Sequence, residues 1–157
     1  MEKIPSFTVD HTKLLCGVYV SRQDRVGSEV VTTFDIRMKR PNMEPVIDVP
    51  ALHTIEHLGA TFLRNNTEWK DRVIYFGPMG CRTGNYLILK GDLKPMDIKP
   101  LLIELYSFMA DYQGDIPGAT AKDCGNYQSM DLNMGKYESK LFLEVLNSLN
   151  SQNTIYP

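Results

Sequence analysis

EVVTTFDIRMKR, residues 29–40, alternates along its length: Val30, Thr32, Phe34, Ile36 and Met38 share one parity, and Thr33, Asp35, Arg37 and Lys39 share the other. A period of two is that of a strand with one face buried and one polar, so Arg37 is expected to point away from the core. Two further runs rich in β-branched and aromatic residues follow, RVIYFGPM (72–79) and NYLILKG (85–91), separated by the glycine-bearing turn GCRTG (80–84). Helical spacing then governs Ile98, Leu101, Leu102, Leu105, Phe108, Met109 and Tyr112, with Pro100 tolerable only near the helix start. It returns in Tyr137, Leu141, Phe142, Val145, Leu146 and Leu149. Clustered strands and few helices predict an α+β fold, a mainly antiparallel sheet with helices packed on one face.

A chain of 157 residues, 43% apolar, suits a single domain over 1–157 with one core. The proline-containing piece RPNMEPVIDVP (40–50) reads as a connection from strand to helix. Seventeen basic residues are interspersed with 19 acidic ones, so neither nucleic acid nor a membrane surface is expected as partner. The first fifteen residues, MEKIPSFTVDHTKLL, are broken by charge and Pro5 and lack an apolar run before a cleavage site, and no segment has the length of a membrane span. A cytoplasmic location is expected. Three cysteines far apart, Cys16, Cys81 and Cys124, then argue for thiols with separate tasks rather than a disulfide framework.

Between strand and helices lies ALHTIEHLGATFLR (51–64), which holds two of the three histidines. At roughly 100° per residue, Leu52, Ile55, Leu58, Gly59, Phe62 and Leu63 form an apolar face, and His53, Glu56 and His57 fall together on the adjoining arc. Imidazoles at i and i+4 can converge on one metal ion and leave positions for a third ligand and for water or substrate. A carboxylate beside them can move protons. The same spacing is compatible with two solvated histidines on an amphipathic helix, and H-x-x-E-H also matches the inverted zinc peptidase motif, whose third ligand is a downstream carboxylate.

Cys124, in the glycine-flanked polar loop GATAKDCGNYQ (118–128), is a candidate third ligand, and a His, His, Cys set with one open position is a catalytic arrangement. The alternative is a small buried hydrophobe. Cys81, in GPMGCRTG (77–84), sits where glycines allow close approach of a ligand and Arg82 favours the thiolate; it is either an acid/base or nucleophilic thiol or a turn cysteine with no task. Cys16, after Leu14 and Leu15, reads as structural.

Taken together, SFTVDH (6–11), FDIR (34–37), HTIEHLGATFLRN (53–65), GPMGCRTG (77–84) and DCGNY (123–127) resemble the S-ribosylhomocysteine lyase family, LuxS, in order and spacing along nearly the whole chain. The resemblance implies one divalent metal ion per subunit held by His53, His57 and Cys124, ferrous iron in the first instance, with zinc or cobalt able to substitute. It implies cleavage of the thioether of S-ribosylhomocysteine to homocysteine and 4,5-dihydroxy-2,3-pentanedione, a quorum-sensing autoinducer precursor, by carbonyl migration and β-elimination without a redox cofactor. Cys81 then carries protons in the isomerisation steps and Glu56 in the later steps, with Ser6, His11 and Arg37 as substrate contacts contributed across a homodimer interface. One departure stands out: many members read Asp-Ile-Ser-Pro-Met-Gly-Cys before the thiol, whereas this chain has Tyr75-Phe76-Gly77-Pro78-Met79-Gly80-Cys81, with tyrosine in place of the aspartate associated with the homocysteine end.

Overall fold

A computed structural model describes residues 7–157. Four strands, β1 (Gly17–Val26), β2 (Glu29–Arg37), β3 (Val73–Pro78) and β4 (Gly84–Lys90), form one antiparallel sheet in the order β1-β2-β4-β3. Three helices accompany it: α1 (Val49–Asn65), α2 (Pro95–Asp111) and α3 (Leu132–Asn147). The parity read in β2 holds. Phe34 and Ile36 lie opposite Val20 and Val18 on β1, Phe34 also opposite Leu87 on β4, and this inner face joins Ile55 and Leu58 of α1, Leu101 and Leu105 of α2 and Phe142 of α3 in one core. The expected α+β layout, with helices against one face of an antiparallel sheet, is what forms.

The elements differ from the expected ones at their edges, for local reasons. β1 was not singled out by spacing: its register shifts between Val20 and Arg22, and its outer half carries exposed charge, so the alternation breaks. Helix α2 begins at Pro95, with the Lys94 N–H donating to Asp97 Oδ2 at 2.8 Å, so Pro100 lies inside the helix rather than at its start. Helix α3 begins ahead of its first periodic residue because Asp131 caps it, accepting from the Met134 N–H at 2.9 Å. β2 stops at Arg37 because the Met38 and Lys39 N–H groups both turn to the Thr83 carbonyl, at 2.9 Å each. That pair ties the end of β2 to the turn carrying Cys81.

Helix α1 packs hard against β3: a Cβ on Gly59 would stand 2.3 Å from the ring of Phe76. On the other face of the sheet Tyr19, Asp35 and Tyr86 stand in register across β1, β2 and β4. Arg37 does point away from the helices, as its parity predicts, but it barely reaches solvent; Arg37 is 3% and Asp35 2% exposed, beneath cover that includes Tyr156 near the end of the chain. No helix among the described residues is long and apolar enough to cross a membrane.

Candidate active site

Helix α1 presents His53, Glu56 and His57, all half-buried, on the border of its apolar face. Each imidazole is oriented by a carbonyl. His53 Nδ1 donates to Ser129 O at 2.9 Å and His57 Nδ1 to Pro117 O at 2.7 Å, which fixes the tautomer and leaves both Nε2 lone pairs free. The loop between α2 and α3 supplies both carbonyls, and at Gly118 (φ 71°) a Cβ would press to 3.3 Å from His57 Nδ1, so the left-handed backbone and the contact both favour glycine.

The same loop brings Cys124 in, with its sulfur 3.4 Å from His53 Nε2 and accepting from the Asn126 N–H at 3.4 Å. The ligand atoms of His53, His57 and Cys124 lie within 4.8 Å of one another, the only such set among the described residues. Two neutral imidazole nitrogens and a thiolate are the donors that zinc or ferrous iron takes, and three protein ligands leave a coordination position open. The residues present therefore fit a divalent ion. A cleft of about 310 Å³ adjoins them, lined by Glu56, His57, Ala60, Thr61, Pro117 and Gly118.

A second cleft, about 250 Å³, holds Cys81 with His11, Arg37, Pro41, Asn42, Glu44, Val46 and Thr83. It shares no lining residue with the first. Cys81 is exposed, and partial burial alone would raise its pKa. That effect is overcome by hydrogen bonds from the Thr83 hydroxyl and backbone and by the charge of Arg37, which hold the thiol below the usual cysteine range. Arg37 Nη1 lies 3.7 Å from the sulfur and donates to Thr83 Oγ1 at 2.6 Å, so the Thr83 hydroxyl proton is free to point at the sulfur 3.1 Å away.

Sequence proximity assigned the cationic role to Arg82. The structure gives it to Arg37, from the other side of the β2–β4 pairing, while Arg82 bends the turn at φ 59°. Thr83 and Asp35 were missed as parts of this cluster, though FDIR carries Asp35 two residues before Arg37 on the same strand face. Asp35 holds Arg37 by a bidentate ion pair of nearly zero exposure. Burial works against the Arg37 charge, but Asp35 outweighs it and the guanidinium stays ionised.

His11 is tied to Val9 O through Nδ1 (2.9 Å) and lines the Cys81 cleft. Ser6 lies outside the described residues. Tyr75 folds back along β3, its hydroxyl filling the space that a Cβ on Gly77 would need, so the tyrosine and the glycine that stand in the departing motif are sterically matched. Cys16 behaves as a structural thiol: it donates to Met38 O at 3.3 Å, and burial followed by the nearby Glu44 pushes its pKa up to about 12.

Comparison with known proteins covers the chain almost end to end. The family model described as S-Ribosylhomocysteinase (LuxS) matches residues 4–153. The chain is 61% identical to the S-ribosylhomocysteine lyase of Clostridium beijerinckii over 100% of its own length and 99% of that protein's. It is 59% identical to that of Phocaeicola vulgatus, covering 100% and 98%, and 52% identical to that of Borreliella burgdorferi, covering 100% of both. With a paired-histidine helix, a converging cysteine and an activated thiol already in place, these matches make the chain a member of the S-ribosylhomocysteinase (LuxS) family.

Proposed function

We propose that this chain cleaves the thioether of S-ribosylhomocysteine to homocysteine and 4,5-dihydroxy-2,3-pentanedione. The observation that carries the reading is the His53, His57, Cys124 set beside Glu56, in a chain that is 61% identical to a lyase of that substrate. A divalent ion held by the three residues, ferrous iron by preference and zinc or cobalt by substitution, supplies Lewis-acid polarisation of a carbonyl oxygen. The rest is proton movement. Cys81, whose thiolate form Thr83 and Arg37 favour, takes a proton from a carbon next to the sugar carbonyl and returns it to the former carbonyl carbon while the hydroxyl proton of the first carbon passes to the old carbonyl oxygen, so that repetition walks the carbonyl along the sugar. With the ketone at the third carbon, Glu56 serves the last proton removal, and homocysteine leaves as thiolate by β-elimination.

The two clefts support a composite site. Cys81, Arg37 and His11 share one cleft, and Glu56 and His57 line another with no residue in common. A homodimer that sets the thiol cleft of one subunit against the metal cleft of its partner completes the constellation, with Ser6, His11 and Arg37 as substrate contacts. The setting is the cytoplasm, where the reaction disposes of a methylation by-product and yields a precursor for signalling.

A small H-x-x-E-H hydrolase is the second reading. It needs a carboxylate as third ligand, and the sulfur of Cys124 beside His53 weighs against it. Metal analysis of Cys124→Ala separates the two. Loss of metal and of thiol release from S-ribosylhomocysteine together is expected; undiminished metal binding removes Cys124 from the ligand set.

A further inference from the structure

Past α3 the chain returns to the sheet. The Asn153 carbonyl accepts from the Val18 N–H at 3.0 Å, and a Cβ on Gly17 would stand 2.0 Å from that oxygen, so β1 opens with the residue that lets the tail approach. Asn150 and Asn153 close the turn, the Asn150 N–H donating to Asn153 Oδ1 at 2.8 Å. Tyr156 is thereby laid flat on Tyr19, with ring centroids 4.8 Å apart and planes at 6°. Its hydroxyl donates to Asp35 Oδ2 at 2.8 Å.

Asp35 is thus shared. Oδ1 accepts from Arg37 Nε, and Oδ2 accepts from both Arg37 Nη2 and the Tyr156 hydroxyl. With those two guanidinium nitrogens engaged, Nη1 is left to face Thr83 and the Cys81 sulfur. A neutral donor on Asp35 draws part of its negative charge, so less of the Arg37 charge is cancelled before it reaches the thiol. Tyr156 remains such a donor at every working pH, because burial, then the charge of Asp35, raises its pKa well above the ordinary tyrosine value. A cavity of about 40 Å³ bounded by Val9, His11, Ser21, Asp35, Arg37, Tyr86 and Tyr156 has room for water beside the pair.

From this geometry we infer that Tyr156 is a positioning residue: by donating to Asp35 it holds the Arg37 guanidinium against Thr83 and Cys81, and docking of the C-terminal tail sets the reactivity of the thiol. The charged and titratable groups around that thiol are Asp35 and Arg37 from β2, Tyr86 from β4, Tyr19 from β1, Tyr156 from the tail, His11 and Glu44 at the cleft, and Arg82 next in the chain. Of these, Tyr156 is the one whose hydroxyl donates to Asp35. The inference rests on the reading of Cys81 as proton carrier for its effect on turnover, but not for its effect on the thiol itself.

The test is the pH dependence of iodoacetamide alkylation at Cys81 in the metal-loaded protein, with each cysteine peptide followed separately by mass spectrometry. Tyr156→Phe keeps the ring on Tyr19 and removes only the donor. It is expected to slow alkylation of Cys81 near neutral pH about threefold, equivalent to a midpoint raised by about half a pH unit, with Cys16 unmoved. Tyr156→Leu, which loses the stacking as well, is expected to shift the midpoint further. An unmoved Cys81 midpoint in Tyr156→Phe overturns the inference, whether or not the unfolding temperature falls, and so does an equal change at Cys16. Failure of the catalytic reading shows up elsewhere, as undiminished thiol release by Cys81→Ala.

Discussion

Cys81 and Cys16 illustrate how neighbours divide one side-chain chemistry into two tasks. Thr83 and Arg37 favour the thiolate at Cys81, whereas burial and Glu44 keep Cys16 protonated, with a pKa of about 12. The thiolate fraction grows as pH rises through each pKa, so below about pH 8 alkylation of the native, metal-loaded protein should fall on Cys81, with a midpoint below that of an ordinary cysteine, and leave Cys16 unlabelled. Equal labelling of the two across that range would refute the assignment. The histidine pair of the candidate metal site was legible in the sequence because i and i+4 are neighbours on any helix, whatever the tertiary fold. The partner of Cys81 was not. Arg37 and Cys81 lie 44 positions apart, and only the pairing of Arg37 with Gly84 brings them together.

Among the elements, α1 carries the site and β3 fixes its position. Gly59 faces the Phe76 ring at a distance no Cβ tolerates, so the helix lies closer to the sheet than an alanine would allow. Gly59→Ala is therefore expected to lower stability by about 1–3 kcal/mol through overpacking, despite the better helix propensity of alanine, and a denaturant titration reads this directly. A gain in stability would mean that the ring moves aside at little cost. The strands and helices with regular spacing were legible for the same reason as the paired histidines, since one buried face imposes a period. β1 and the tail follow other rules: a bulge and exposed charge break the alternation of β1, and Tyr156 is a single aromatic residue whose partners, Tyr19 and Asp35, lie far back in the chain.

For the molecule as a whole, the proposed dimer makes a prediction that one subunit cannot. Cys81→Ala and His57→Ala should each be inactive alone, but if the thiol of one subunit serves the metal cleft of its partner, subunit exchange should restore about a quarter of wild-type activity, since half the dimers are mixed and each has one intact site. No recovery after verified exchange would place both clefts' contributions within one chain. The reaction itself has the most direct test. Protein loaded with ferrous or cobaltous ion is mixed with S-ribosylhomocysteine and free thiol is followed, with metal content measured in parallel. Release by the wild type, with Cys81→Ala retaining its metal but losing turnover by about 100-fold or more, is expected. A metal-replete wild-type protein that releases no thiol, or a Cys81→Ala variant that releases it equally fast, would contradict the assignment.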